Sequence, residues 1–171
     1  MIPLPLLQQR EIEAGVIAPL VRAFAAEVGE DRAREILAGV IRELARQAGC
    51  AAAAAVGGTD LPHLKQAIEA LKAGGALEFD VIRDDGEAFE FNVTRCRYAE
   101  MYRRLGLAEF GPILSCGRDG AMIEGFNPAI DFRRTQTLME GAAYCDFRYQ
   151  EKAGFTTEAQ RPQSSPEPGE E

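Results

Sequence analysis

The chain has 171 residues, 46% hydrophobic and 27% charged, with a formal net charge of -8 and a pI near 4.8. That length suits one domain with a real core, and the composition is that of an ordinary soluble globular protein. The acidic balance, with basic residues interleaved among acids, argues against nucleic acid and against an electrostatic membrane anchor.

Four cysteines are too few and too irregularly spaced for a disulfide framework or a zinc knuckle. Met1 to Leu7 is apolar but no basic residues precede it, so it does not read as an export signal. The longest later uncharged run, about Gln47 to Thr59, is too short to span a bilayer. The expectation is a cytoplasmic protein with reduced thiols.

From Leu7 to Val28, Ile12, Val16, Leu20, Phe24 and Val28 recur at i+4 and predict an amphipathic helix, with a kink or break at Pro19. Asp31 reads as the N-cap of a second helix whose apolar stripe is Ile36, Leu37, Val40, Ile41, Leu44 and Ala48, with Gly49 placed to end it. The charged residues between Glu30 and Arg46 read as its solvated face. The alanine run Ala51–Gly58 either extends this helix or forms a joint. Thr59-Asp60-Leu61-Pro62 starts a third helix through Leu64, Ile68 and Leu71, stopped by Gly74-Gly75. His63, the only histidine, reads as a surface residue, which leaves a cysteine nucleophile without an imidazole base.

From Ala76 the period changes to two. Leu77, Phe79 and Val81, then the turn Asp84-Asp85-Gly86, then Phe89, Phe91 and Val93, predict a β-hairpin with one apolar face. A helix follows through Cys96, Tyr98, Met101, Tyr102 and Leu105, then a short helical piece from Leu107 to Leu114 interrupted at Gly111-Pro112. Beyond it, Met122–Glu124 reads as a short strand, Ile130–Leu138 as a strand and Ala143–Tyr149 as a last strand. The fold class expected is α+β: an N-terminal helical layer on a mainly antiparallel sheet of about four to five strands. One domain is expected over 1–153, helical over 1–75 and carrying the hairpin, helices and C-terminal strands over 76–153. Residues 154–171 read as a disordered acidic tail.

Residues 116–149 concentrate the polar groups able to do chemistry. Cys116 precedes Gly117 in an expected loop, where a thiol is either an exposed nucleophile or a small buried residue. Asp119 lies three residues on, and Arg118, Arg133 and Arg134 can supply the positive charge a thiolate needs. A metal site folded together from Cys96, Cys116, Cys145 and an aspartate is geometrically open, but no metal or cofactor is expected. Strand alternation sets Cys145 and Asp146 on opposite faces, so only one of them can line a given pocket. The same rule puts Arg134 with Ile130 and Phe132. An arginine on an apolar face wants an anion, either a substrate carboxylate or one of Asp119, Asp131 and Asp146.

Cys116-x-x-Asp119, Gly125-x-Asn127-Pro128, Arg134-Thr135-x-Thr137-Leu138-x-x-Gly141 and Cys145-Asp146-Phe147-Arg148 resemble the signature of the L-2-amino-thiazoline-4-carboxylic acid hydrolase family. The resemblance is good over roughly residues 75–150. It implies hydrolytic opening of a small carboxylated cyclic amidine or isothiourea ring to an N-carbamoyl cysteine. Catalytic candidates are Cys116, Asp119 and Cys145, with Cys116 before Cys145 as nucleophile, or an aspartate activating water directly. Asn127, Arg134, Thr135 and Asp146 are the substrate-binding candidates, Arg134 for the carboxylate. The alternative is a non-catalytic small-molecule- or metal-binding module on the same fold. Expected partners are a small-molecule substrate and, as an option, further copies of the chain, with no nucleic acid and no membrane.

Overall fold

The computed structural model describes residues 4–152, without the side chains of 71–73. Three helices come first: α1 (Leu6–Val28), α2 (Glu30–Val56) and α3 (Leu61–Ala73). The hairpin β1 (Leu77–Asp84) and β2 (Ala88–Cys96) follows, then α4 (Arg97–Arg104), α5 (Gly111–Leu114), a 3-10 turn (Cys116–Arg118) and α6 (Asp119–Phe126). Strand β3 (Ile130–Arg133), a second 3-10 turn (Leu138–Glu140) and β4 (Cys145–Glu151) complete the described chain. This is the expected α+β class, with one antiparallel sheet ordered β1-β2-β4-β3. The expected domain end at 153 and the acidic tail lie outside the described residues.

The N-terminal helices depart from the sequence reading in instructive ways. Pro19 lies inside α1 without ending it. The i+4 stripe of α1 does not face the core. Ala14, Ala18 and Val21 do, while Ile12, Val16, Leu20, Phe24 and Val28 are exposed. Small side chains let α1 lie close against its neighbours, and this overrides the pull to bury the larger ones. In α2 the stripe is split: Leu37 and Ile41 are buried, whereas Ile36, Val40 and Leu44 are not. Gly29, with φ of 89°, is the N-cap of α2, and Asp31 sits in the first turn, where its charge meets the positive helix end. Nor does Gly49 end α2. The helix continues through the alanine run to Val56 and stops at Gly57 in the left-handed conformation. The α3 start matches expectation, with the Asp60 carboxylate accepting the His63 backbone N–H at 3.0 Å.

Residues 119–126 are helical, not strand. Ile123 and Phe126, three apart, share the core under the sheet. On another side of α6, Gly125 lies against the Arg46 carbonyl and Gly49 of α2 against the Met122 carbonyl, so the two backbones meet where side chains would block them. This close crossing outweighs the poor helix propensity of two glycines in eight residues. The expected 130–138 strand is also shortened. Only Ile130–Arg133 pairs with β4, because the chain then leaves the sheet toward the 3-10 turn at Leu138.

One face of the sheet is a cross-strand aromatic layer. Phe91 opposes Phe147, Phe89 opposes Tyr149 and Phe132 opposes Tyr149 in register. Ring centroids lie 5.1 Å apart for Phe91–Phe147 and 4.4 Å for Phe79–Phe91. Such pairs add about 0.5–1.5 kcal/mol each beyond the area they bury. Val81, expected on this face and paired in register with Phe91, is nevertheless half-exposed, and the β1 register shifts just beyond it, before Arg83. The apolar interior forms two clusters, one among α1, α2, α4 and α5, the other between the sheet and α2, α3 and α6. Cys96 packs against both.

Candidate functional site

The seam between the two clusters holds an ion pair. Asp119 opens α6 at the end of the 3-10 turn, and Arg134 comes off the end of β3, so two chain reversals bring them together. Arg134 donates to the Asp119 carboxylate and, at 3.2 Å, to the Cys116 carbonyl. Its guanidinium carbon lies 5.5 Å from the Phe147 ring centroid and 5.9 Å from that of Phe132. The anion demanded by this arginine is thus internal, and of the three candidate aspartates it is Asp119. Burial opposes the charge on Arg134, but Asp119 outweighs it and holds the guanidinium protonated.

Asp119 sits deep among protein atoms, yet 30% of its side-chain surface is accessible, against 15% for Arg134. Burial pushes its carboxyl up to about 6, with Arg134 and then Arg118 pulling the other way. A carboxyl that ionises near neutrality, with part of its surface reachable, is suited to exchanging a proton.

Three thiols surround the pair closely enough to feel its charges. Burial, and then the Asp119 charge, push the Cys116 thiol up to about 12. Burial raises Cys96 and Cys145 as well. The Cys145 sulfur accepts the Leu138 backbone N–H at 3.1 Å. Cys116 sits in the 3-10 turn and is half-buried, while Cys145 is buried on the aromatic face of β4. Strand alternation therefore resolves in favour of Cys145 on the side of the pair. All four cysteines are unbonded, and among the described residues no group of three or more His, Cys, Asp and Glu is placed to hold a metal ion.

Asp146 faces elsewhere. It accepts the backbone N–H of Thr135 at 2.9 Å, that of Gln136 at 2.8 Å and the Thr135 hydroxyl at 2.7 Å. Asp146 and Thr135 thus clamp the segment that leads from Arg134 to the 3-10 turn. Burial pushes the Asp146 carboxyl up, but these hydrogen bonds outweigh it and hold it below the usual carboxylate range. Asn127 closes another turn, donating to the Thr59 carbonyl and accepting from the Ala129 N–H, both at 2.9 Å. The structure therefore gathers Cys116, Asp119, Arg134 and Cys145, and sets Asn127, Thr135 and Asp146 at the supports. His63 pairs with Asp60 at 2.5 Å at the start of α3 and does not join them.

A second charged group, of which the sequence singles out only Arg118, adjoins the first. Arg10 of α1 binds Glu13 at 2.6 Å, and Arg118 reaches the same carboxylate at 3.5 Å while donating to the Leu114 carbonyl at 2.7 Å. The two arginine side chains are only 17% and 13% exposed, so two shielded guanidiniums share one carboxylate. Burial pushes the Tyr98 hydroxyl up, and its ring is near enough to both groups to feel the charges of Arg10 and Asp119. The sequence signal for Arg10 and Glu13 was weak, since i,i+3 charge pairs are common on helix surfaces. A groove of about 120 Å³ lined by Val21, Arg22, Ala25, Glu30, Arg34, Glu109 and Phe110 contains none of these residues.

The fold is that of a small α+β domain also seen in a crystal structure of the phenol-responsive sensory domain of the transcription activator PoxR with phenol. The two share 14% identity and a TM-score of 0.51, over 81% of this chain and 74% of that one. A family model for L-2-amino-thiazoline-4-carboxylic acid hydrolase matches residues 9–149, and the chain belongs to that family. A search of curated proteins finds no match.

Proposed function

We propose that this protein is a hydrolase that opens a small carboxylated cyclic amidine or isothiourea ring, of the 2-amino-thiazoline-4-carboxylate kind, by adding water under the control of Asp119. The observation that carries this reading is the partly accessible Asp119 carboxyl, raised to about 6 beside Arg134 at the seam of the two clusters. Family membership supports the substrate class. Ionised Asp119 takes a proton from water as its oxygen bonds to the ring carbon between nitrogen and sulfur. The ring C–S bond then breaks, the sulfur leaves with its electron pair and receives the proton, and an N-carbamoyl cysteine forms. Protonation of the ring amidine makes that carbon more electrophilic.

Arg134 is already neutralised by Asp119. Arg118 and Arg10, two guanidiniums on one carboxylate, are better suited to seat the substrate carboxylate. Raised thiol pKa values favour water over Cys116 or Cys145 as the nucleophile, because a thiolate is then scarce at neutral pH. The free cysteines fit a reducing cytoplasm. No helix of the described residues is long and apolar enough to cross a membrane.

A second reading is a binding module on the same fold. The full Arg134–Asp119 pairing and the protonated thiols favour it, and the PoxR sensory domain shows the fold with phenol bound. The test is turnover of 2-amino-thiazoline-4-carboxylate, followed by thiol release and by mass of the product. The hydrolase reading expects Asp119→Asn to lose about 10²–10⁴ in rate, the usual range for removing a general base. Calorimetric binding of this compound by wild type, without turnover, selects the module instead.

A further inference from the structure

Helix α1 is apolar on both sides. Its inward row is small, with Ala14 and Ala18 fully buried, while its outward row of Ile12, Val16, Leu20, Phe24 and Val28 is 51–59% exposed. Between Ala14 and Ala26 the only charged residue is Arg22. A helix that is hydrophobic all round belongs inside a larger structure. The neighbouring helix α2 adds Ile36, Val40 and Leu44, exposed by 47–54%. We infer that this α1/α2 face is the interface of a homodimer.

Area is the first argument. Half-exposed side chains of this size present on the order of 100 Å² each, so the eight together offer roughly 800 Å², the amount each partner buries in a stable interface of standard size. Shape is the second. The outward residues of both helices lie on i+4 rows, which form the ridges used in the commonest mode of helix packing, with axes crossing at about -50°. Beside the α1 ridge runs a parallel row of Gly15, Pro19 and Ala23, all exposed, and open space lies over Gly15. Ridge and groove on one patch make it self-complementary, as a two-fold interface requires. Charge is the third. Arg22 is the one basic residue within the row, Glu27 and Glu30 lie at its end, and Glu11 and Glu13 are held by Arg104, Arg10 and Arg118, so the face lacks the basic cluster that an anionic membrane surface needs.

The test is light scattering across a dilution series of the full chain, with circular dichroism to confirm folding. Wild type is expected at twice 18.6 kDa and Phe24→Glu and Val40→Glu at 18.6 kDa, the dimer dissociation constant rising at least about 30-fold on loss of a central anchor. Ile82→Glu, at an exposed position of the hairpin, is expected to stay dimeric. If a glutamate unfolds the chain, Phe24→Ser and Val40→Ser, which have no charge to desolvate, are read the same way. A monomeric wild type, a dimer that survives either α1 or α2 substitution, or one broken by Ile82→Glu overturns the inference.

Discussion

Adding a single methyl group at Gly125 tests the crossing that holds Asp119 in place. A Cβ at Gly125 would run into the backbone of Arg46, and one at Gly49 into the backbone of Met122 and Phe126. Neither obstacle is a side-chain end that can swing aside, so α2 and α6 must separate. Overpacking costs about 1–3 kcal/mol, and a backbone obstacle places Gly125→Ala at the upper end, about 3 kcal/mol. Alanine recovers about 1 kcal/mol of helix propensity, leaving a net loss of about 2 kcal/mol. Gly39, also within α2, has nothing near its missing Cβ, so Gly39→Ala is expected to stabilise by up to about 1 kcal/mol. The assay is urea unfolding at matched concentration, read as a midpoint shift at constant slope. Gly49→Ala and Gly125→Ala combined should cost less than their sum, because the first substitution has already moved the helices apart. Equal shifts of one sign for Gly39→Ala and Gly125→Ala would refute the close-crossing argument.

Ring-opening activity should fall about tenfold per pH unit below about 6, as Asp119 takes up a proton; a pH–rate profile unchanged in Asp119→Asn would sink the general-base role. Because the folded carboxyl titrates higher than the unfolded one, its contribution to stability is present below the ordinary aspartate range and lost as pH rises through about 6. The loss is up to about 3 kcal/mol, and Asp119→Asn should flatten that part of a stability–pH curve. For Asp146 the sign is opposite, since its carboxyl is held low: its contribution is present above the ordinary aspartate range and is lost as pH falls through the lowered value. Asp146→Ala, which strips three hydrogen bonds from Thr135 and Gln136, should cost about 2–4 kcal/mol in urea unfolding, and no change would place the clamp in error. In neutral alkylation followed by peptide mass spectrometry, exposed Cys50 should react at least about tenfold faster than Cys116 or Cys145. Cys116 labelling first would revive the thiolate nucleophile.

Much of the site was legible as a neighbourhood before the chain was folded. Asp119, three residues after Cys116, and Arg134 on an apolar face both announce buried charge, and alternation alone separates Cys145 from Asp146. Arg10 and Glu13 could not be found that way, because Glu13 and Arg118 are 105 positions apart and nothing local signals their meeting. Likewise, the Gly-rich run 117–125 reads as turns and strand by propensity, and only the presence of α2 makes a helix with two glycines favourable there.

Period, a local property of the backbone, determined the existence of three N-terminal helices, the hairpin and the α+β class, while punctuation placed the start of α3 but neither end of α2. Alternation determined which residues of β4 share a face, because a strand has no other way to point its side chains. Tertiary structure decided which face of each helix is inside. On α1 the sequence period marks Ile12 through Val28 as one stripe, but close packing admits only Ala14, Ala18 and Val21 to the core. Tertiary structure also decided that Asp119 answers Arg134, since burial in the seam between two apolar clusters leaves each charge no better solvent than the other.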